Sequence, residues 1–333
     1  MSSEPVDLVL EGGGVKGIGL VGALAVLEEQ RWRPACVAGT SAGAITAALL
    51  AAGYSAKELQ EMLLGLDFHA FEDRGWEDRI PGGELISIIK DKGVFEGDYL
   101  HEWIGGLLAE KGVRRFADLR EEGDEERRRY RLRVIASDVT GRRLLALPQD
   151  ATHVGLDPDE LGVADAVRMS MSIPLFFEPV TVNGHLIVDG GLLSNFPVWL
   201  FDSRGRPPRW PTFGLLLVEP EPRKSVAHRL ERGEGDGGLI DFLKAMGQTM
   251  LEAHDRLYVE QDSFARTIPI PTLGVRTTEF DLSRERALEL YESGREAAKD
   301  FLAGWDMQAY VERYRTGPAP SRRDTLTIPV PRE

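Results

Sequence analysis

The stretch Ala35-Cys36-Val37-Ala38-Gly39-Thr40-Ser41-Ala42-Gly43, running on through Ala44-Ile45-Thr46-Ala47-Ala48-Leu49-Leu50, changes character at one residue. Ala35 to Ala38 is short, apolar and bounded by glycine, the pattern of a buried strand. Ala42 to Ala52 is rich in alanine and leucine, the strongest helix formers. Ser41 therefore stands where a strand turns sharply into a helix, the context a nucleophile elbow requires. Side chains at positions 39 and 43 would collide in such a turn, which accounts for Gly39 and Gly43. The helix that follows directs its free N-terminal amides and positive dipole end at the same point, favouring negative charge that develops on a reacting oxygen. The plainer alternative is a junction of small residues in which Ser41 is an ordinary helix N-cap.

Upstream, Val6 to Leu10 reads as a first strand and Lys16 to Gln30 as a helix with Ile18, Val21, Leu24, Ala25 and Leu27 on its apolar side. Strand, helix, strand, helix in succession predicts an α/β fold with a central, mostly parallel sheet. Between the first pair lies Gly12-Gly13-Gly14-Val15-Lys16-Gly17. Gly12, Gly14 and Gly17 satisfy a dinucleotide-binding spacing, but the acid expected at the end of the second strand is replaced by Gly39-Thr40-Ser41. A phosphate-binding P-loop is excluded because Ile18 follows Gly17 where a lysine is needed. Bare backbone amides at Gly12, Gly13 and Gly14 suit an oxyanion hole better; a turn that tightens helix–sheet packing is the alternative. Both turns follow early strands of one parallel sheet, so they should meet at its carboxyl edge.

Downstream, Leu132 to Val139 reads as a strand, turning at Thr140-Gly141 into Arg142 to Leu147. Val180 to Val182 and His185 to Val188 flank Asn183-Gly184, a hairpin signal, because a type I′ turn needs two positive φ angles. Asp189-Gly190-Gly191 follows directly. Alone it reads as a turn-forming aspartate. Thr212 to Val218 is a further strand, and Leu239 to Tyr258 and Ser283 to Leu302 are helical, the latter with Ser283 as N-cap. Lys57 to Leu119 is mainly helical with glycine breaks, a cap or lid-like segment in which Leu85 to Leu108 would be the lid. The charge run Glu121 to Arg131 reads as a solvated loop or helix end. Pro222 to Gly238 reads as a loop, and the proline-rich segment 316–333 as a flexible tail to a single domain spanning 1–315.

The 333 residues are 42% hydrophobic and 28% charged, with a formal net charge of −14. That balance suits a soluble globular protein and argues against nucleic acid, and against simple electrostatic attachment to anionic lipid. Cys36 is the one cysteine, so no intrachain disulfide can form. The N-terminus lacks the features of a signal peptide. Pro34 to Ala56 carries no charge, but its glycines, serines and alanines are wrong for a transmembrane span.

Glu11 to Gly17, Gly39 to Gly43 and Asp189 to Gly191, in this order, resemble the patatin-like phospholipase family. So do Ser170-Met171-Ser172-Ile173-Pro174, Phe177, Pro179 and Asn195-Phe196-Pro197-Val198. The resemblance runs from about Val6 to Leu302 and is loosest over Lys57 to Leu119. It implies a three-layer α/β/α fold and a catalytic dyad without histidine, with Ser41 as nucleophile and Asp189 as its base. Gly12, Gly13 and Gly14 would form the oxyanion hole, with Gly17, Gly39, Gly43, Gly190 and Gly191 as motif glycines. The implied reaction is hydrolysis of a lipid ester through an acyl-enzyme, without metal or cofactor, at a membrane surface or micelle. A cytoplasmic enzyme with peripheral membrane contact and no transmembrane segment is the expectation. Met169, Met171, Leu175, Phe176 and Phe177 would line an acyl slot, or else pack in the core. Lys16 would meet a lipid phosphate or snorkel at the helix start. A triad would instead draw on His228 or His254 among the six histidines; no spacing of histidine or cysteine resembles a metal ligand set. A lipid acyltransferase and a weakly active lipid-binding scaffold are the other readings of the same motifs.

Overall fold

Eight strands, among the residues described, form one mixed sheet in the computed structural model. The structure describes residues 3–65, 97–121, 128–174, 176–202, 207–219, 261–277, 279 and 281–315. The expected helix at Leu239–Tyr258, the loop at Pro222–Gly238, the tail from Thr316, residues 85–96 of the lid, Leu175, His69, His228 and His254 lie outside them.

The strands are β1 (Glu4–Leu10), β2 (Trp32–Thr40), β3 (Leu132–Asp138), β4 (Arg143–Leu147), β5 (Val180–Val182), β6 (His185–Asp189), β7 (Thr212–Val218) and β8 (Thr267–Pro271). Their order is β5-β6-β3-β2-β1-β7-β8, with β4 also paired to β3. The pairs β1–β2, β1–β7, β2–β3 and β7–β8 are parallel; β3–β4, β3–β6 and β5–β6 are antiparallel. The Asn183-Gly184 turn between β5 and β6 takes φ 47° and 84°, as its sequence requires.

One detail of register positions the site. A strand has only two edges, and β4 covers one edge of β3 from Val134 to Asp138. The other edge is shared end to end: β2 pairs with it up to Thr40 opposite Ile135, and β6 takes over from Asp189 opposite Ala136. Since β2 is parallel to β3 and β6 antiparallel, the two run head-on into each other, bringing Ser41 against Asp189 and Gly190.

The helices are α1 (Gly17–Glu29), α2 (Ala42–Ala52), α3 (Ala56–Gly65), α4 (Asp98–Glu110), α5 (Val163–Ser170), α6 (Arg284–Gly304) and α7 (Met307–Tyr314). The first is preceded by a 3-10 turn at Gly14–Lys16, so it starts one residue later than expected. From Gly17 to Leu27 every residue of α1 is buried. It lies between the sheet and α6, and its apolar residues run all round rather than along one stripe. The α1–α6 contact is backbone on backbone: a β carbon on Gly22 would overlap the Tyr291 carbonyl, and one on Gly294 the Gly19 carbonyl. Alternate strand residues face opposite cores. Leu8, Leu10, Val37 and Val134 join the helices, whereas Val9, Cys36, Ala38 and Ile135 pack on Phe196, Val198, Trp199 and Phe201. Ser283 caps α6, its hydroxyl accepting from the Arg286 amide at 3.2 Å.

The end of the charge run is not a solvated loop. Arg128 donates to Asp7 at 2.7 Å, and Asp7 is fully buried. Asp7 also accepts from Trp210 Nε1 at 2.8 Å and from the Cys36 amide at 3.2 Å. A buried carboxylate needs such partners, which is why this part of a polar run is drawn onto the sheet. Tyr130 is likewise buried. No helix among the described residues is long and apolar enough to cross a membrane.

Candidate active site

Ser41 sits at φ 53°, ψ −129°, a backbone conformation rare for a residue with a β carbon. Its side chain makes no capping hydrogen bond to α2, which removes the N-cap alternative. Strain of this kind, about 1–3 kcal/mol, persists only where surroundings hold it. Here a β carbon on Gly39 would overlap the Gly43 carbonyl, and one on Gly43 would lie 2.5 Å from the Leu10 and Glu11 carbonyls. The Ser41 amide donates to Ser170 Oγ at 2.9 Å, and Ser170 Oγ donates onward to the Ile135 carbonyl at 2.6 Å. Ile135 is the residue opposite Thr40.

Asp189 ends β6 and is fully buried. Its Oδ1 accepts from the Gly191 amide at 2.7 Å, while its own amide donates to the Ser172 carbonyl at 2.9 Å. Gly190 allows the turn, because a β carbon there would overlap the Ile135 carbonyl. Burial pushes the Asp189 carboxyl up from an ordinary 3.8 to about 7, against the opposing pull of the Gly191 amide and then the Ser41 hydroxyl. The hydroxyl is thus near enough to favour the ionised form. It is not aligned as a donor, however: Oδ2 is buried without a hydrogen-bond partner among the described residues, and Ser41 Oγ donates instead to Met171 Sδ at 3.7 Å. Catalytic hydrogen bonds are often long or misaligned before substrate binds.

The glycine loop lies alongside. A β carbon on Gly12 would come within 2.9 Å of Ser41 Cβ. The Gly12 amide, however, donates to the Asn195 carbonyl at 3.4 Å, so it is occupied. The amides of Gly13 and Gly14 have no acceptor among the described residues, and Gly14 adopts a positive φ of 54° that glycine permits. Gly17 has ordinary helical φ and empty space where a β carbon would go, so nothing steric demands glycine there.

Lys16, Met169 and Phe177, expected to meet substrate, are closed off to about the same degree as Ser41, which is itself 6% exposed. Lys16 is only 6% exposed; the 3-10 turn folds it beneath the loop rather than at the surface. Phe177 is buried, with the Arg168 guanidinium 5.7 Å from its ring, and so packs in the core. Met169 is buried and borders a 360 Å³ cleft beside α5 that Leu156, Asp165 and Val180 also line. Of the expected acyl-slot residues, Met171 reaches the serine, its Sδ accepting from Ser41 Oγ at 3.7 Å.

Two residues of the site were visible in the sequence only through resemblance. Ser170 braces the serine's backbone. Asn195 pins the loop, its Nδ2 donating to the Gly12 carbonyl at 3.0 Å and to Glu11 Oε1 at 3.3 Å. Serine and asparagine are too common for periodicity to mark them. The described histidines pair with other acids: His101 with Asp165 at 2.8 Å, His185 with Asp138 at 2.9 Å and His153 with Asp150 at 4.0 Å. Among the described residues no group of three histidine, cysteine or acidic side chains could hold a metal ion. Burial, followed by the charge of Asp7, pushes the Cys36 thiol up to about 12, so it is no nucleophile.

A family model described as Patatin-like phospholipase matches residues 8–202. The chain is 38% identical over 309 residues to the uncharacterized protein YqhO of Bacillus subtilis (strain 168), covering 90% of this chain and 99% of that one. A probable lipid hydrolase of Invertebrate iridescent virus 6 is 28% identical over 206 residues, 57% of this chain and 61% of the other. Among solved structures, VipD from Legionella pneumophila shares the fold with a TM-score of 0.55 at 20% identity, covering 91% of this chain and 67% of that one.

Proposed function

Because this chain belongs to the patatin-like phospholipase family, we propose that it is a lipid acyl hydrolase in which Ser41 and Asp189 form the catalytic dyad. The observation that carries the reading is the head-on meeting of β2 and β6, which sets a strained serine against a buried carboxyl with one unengaged oxygen. Similarity to a probable lipid hydrolase supports a lipid ester as substrate.

The substrate carbonyl sits against the Gly13 and Gly14 amides. Asp189 Oδ2 takes the proton of Ser41 as Oγ attacks the carbonyl carbon. The oxyanion that forms accepts from the glycine amides, each such donor being worth about 2.7–4 kcal/mol. Asp189 returns its proton to the departing alcohol, leaving an acyl-enzyme. It then deprotonates a water that attacks the acyl carbon, and the fatty acid leaves as the proton goes back to Ser41. A carboxylate is an intrinsically weak base; burial of Asp189 narrows the gap by raising its proton affinity. The same reading places the protein in the cytoplasm, visiting lipid surfaces peripherally.

Ser41→Ala tests this directly. Hydrolysis of a short p-nitrophenyl ester and labelling by a fluorophosphonate should both vanish, with the circular dichroism spectrum unchanged. Turnover retained within tenfold in the folded variant would defeat the assignment.

A further inference from the structure

The hydroxyl of Ser41 has one proton and two acceptors within reach. It donates to Met171 Sδ at 3.7 Å, and Asp189 Oδ2 is left without a hydrogen bond. The sulfur is held there by its backbone: Met171 caps α5, with its amide bonded to the Met169 and Val167 carbonyls, and its neighbour Ser170 grips the Ser41 amide. The end of α5 therefore engages the serine through both its amide and its hydroxyl. Met171 is half-buried, whereas Met169 on the same turn is 3% exposed. A thioether is a weak acceptor, so the hydroxyl can leave it for the carboxylate when substrate arrives.

We propose that Met171 is an oxidation-sensitive modification site through which hydroperoxides switch the hydrolase off. The proposal rests on Ser41 being the nucleophile. A lone pair of the sulfur attacks the distal oxygen of the hydroperoxide, and the O–O bond breaks. The proton passes to the departing oxygen, giving an alcohol, or water from hydrogen peroxide. Sulfur is oxidised by two electrons to the sulfoxide and the peroxide is reduced by two. The sulfoxide oxygen is polar and a far better acceptor than the thioether. At this position it retains the Ser41 proton and crowds the space in which an ester carbon must approach Oγ to about 3–3.5 Å.

The test treats the full chain with graded hydrogen peroxide and follows p-nitrophenyl butyrate hydrolysis together with Met171 sulfoxide by peptide mass spectrometry. The wild type should lose at least tenfold in rate in step with Met171 oxidation, and methionine sulfoxide reductases A and B should restore it. Met171→Leu, or Met171→Ile should the first fold poorly, should keep its own untreated rate at the same peroxide dose. Equal sensitivity of the variants, Met171 sulfoxide without loss of rate, or a Met171 that stays reduced while the rate falls would each overturn the proposal. Fluorophosphonate labelling of Ser41 in the untreated protein separates the two readings. If Ser41 is labelled and Ser41→Ala is inactive, a peroxide-sensitive Met171→Leu defeats only the switch. An unlabelled Ser41 with an active alanine variant defeats the dyad itself.

Discussion

Asp189 has no contact with solvent, and ionising it means charging a carboxyl whose second oxygen is unanswered. Protonated, it cannot accept the serine proton. The rate kcat/KM for a neutral ester should therefore rise with pH through about 7 and level off above it. The effect on stability has the opposite sense. A carboxyl raised from 3.8 to about 7 stabilises the fold fully below the lower value, and this contribution is lost as pH rises through the upper one. Asp189→Asn, which is never charged, should abolish turnover yet melt above the wild type at pH 8, with the advantage shrinking towards pH 5. Melting curves at the two pH values check this; an advantage that grows in acid would contradict the burial argument. Ser170 is a second residue-scale case. Ser170→Ala leaves the Ser41 amide unsatisfied and should cost about 1–3 kcal/mol in urea unfolding. Because Ser170 acts through Ser41 and not on substrate, kcat should fall while KM holds.

At the scale of elements, the two head-on strands need α1 and α2 to press closely on the sheet, and small residues permit this. The α1–α6 crossing depends on Gly22 and Gly294, each facing the other helix's backbone. Gly294→Ala must push the helices apart, an overpacking cost of about 1–3 kcal/mol that outweighs alanine's better helix propensity. A lower midpoint in urea at unchanged slope is expected; a stabilised variant would mean the helices can part without loss. The same elements show what was legible locally. The Ser41 turn, the Asn183-Gly184 hairpin, the Ser283 cap and the extent of α2 all follow from residues within a few positions of one another. The end of the charge run was misread because its partner, Asp7, lies 121 residues away.

Across the whole molecule, the Asp202 carboxylate, 7% exposed, ties the motif-bearing segment to the start of β8 and the end of α7. Asp202 accepts from Arg266 Nη1 at 2.5 Å and Nη2 at 2.8 Å, and from Arg315 Nη2 at 2.7 Å. Arg266 directly precedes β8, and Arg315 follows α7. Removing the carboxylate takes two charge-assisted hydrogen bonds from Arg266, whose side chain is only 2% exposed, and one from Arg315. Asp202→Ala should cost about 3–5 kcal/mol in chemical denaturation. A change within 1 kcal/mol would show that the fold does not depend on the cluster.

The chain's own order of residues determined the parallel opening, the glycine loop, the serine turn and the Asp-Gly-Gly end of β6, because turn geometry and periodicity depend on near neighbours. Resemblance then paired Ser41 with Asp189. Tertiary structure alone decided that β2 and β6 share one edge of β3, that the Gly12 amide is occupied, and that Lys16 and Phe177 are buried. It also decided that Met171 holds the serine hydroxyl. The Met171 and Asn195 contacts join residues 130 and 183 positions apart, and they are set by strand register and competition for space and acceptors, which no local window of sequence contains.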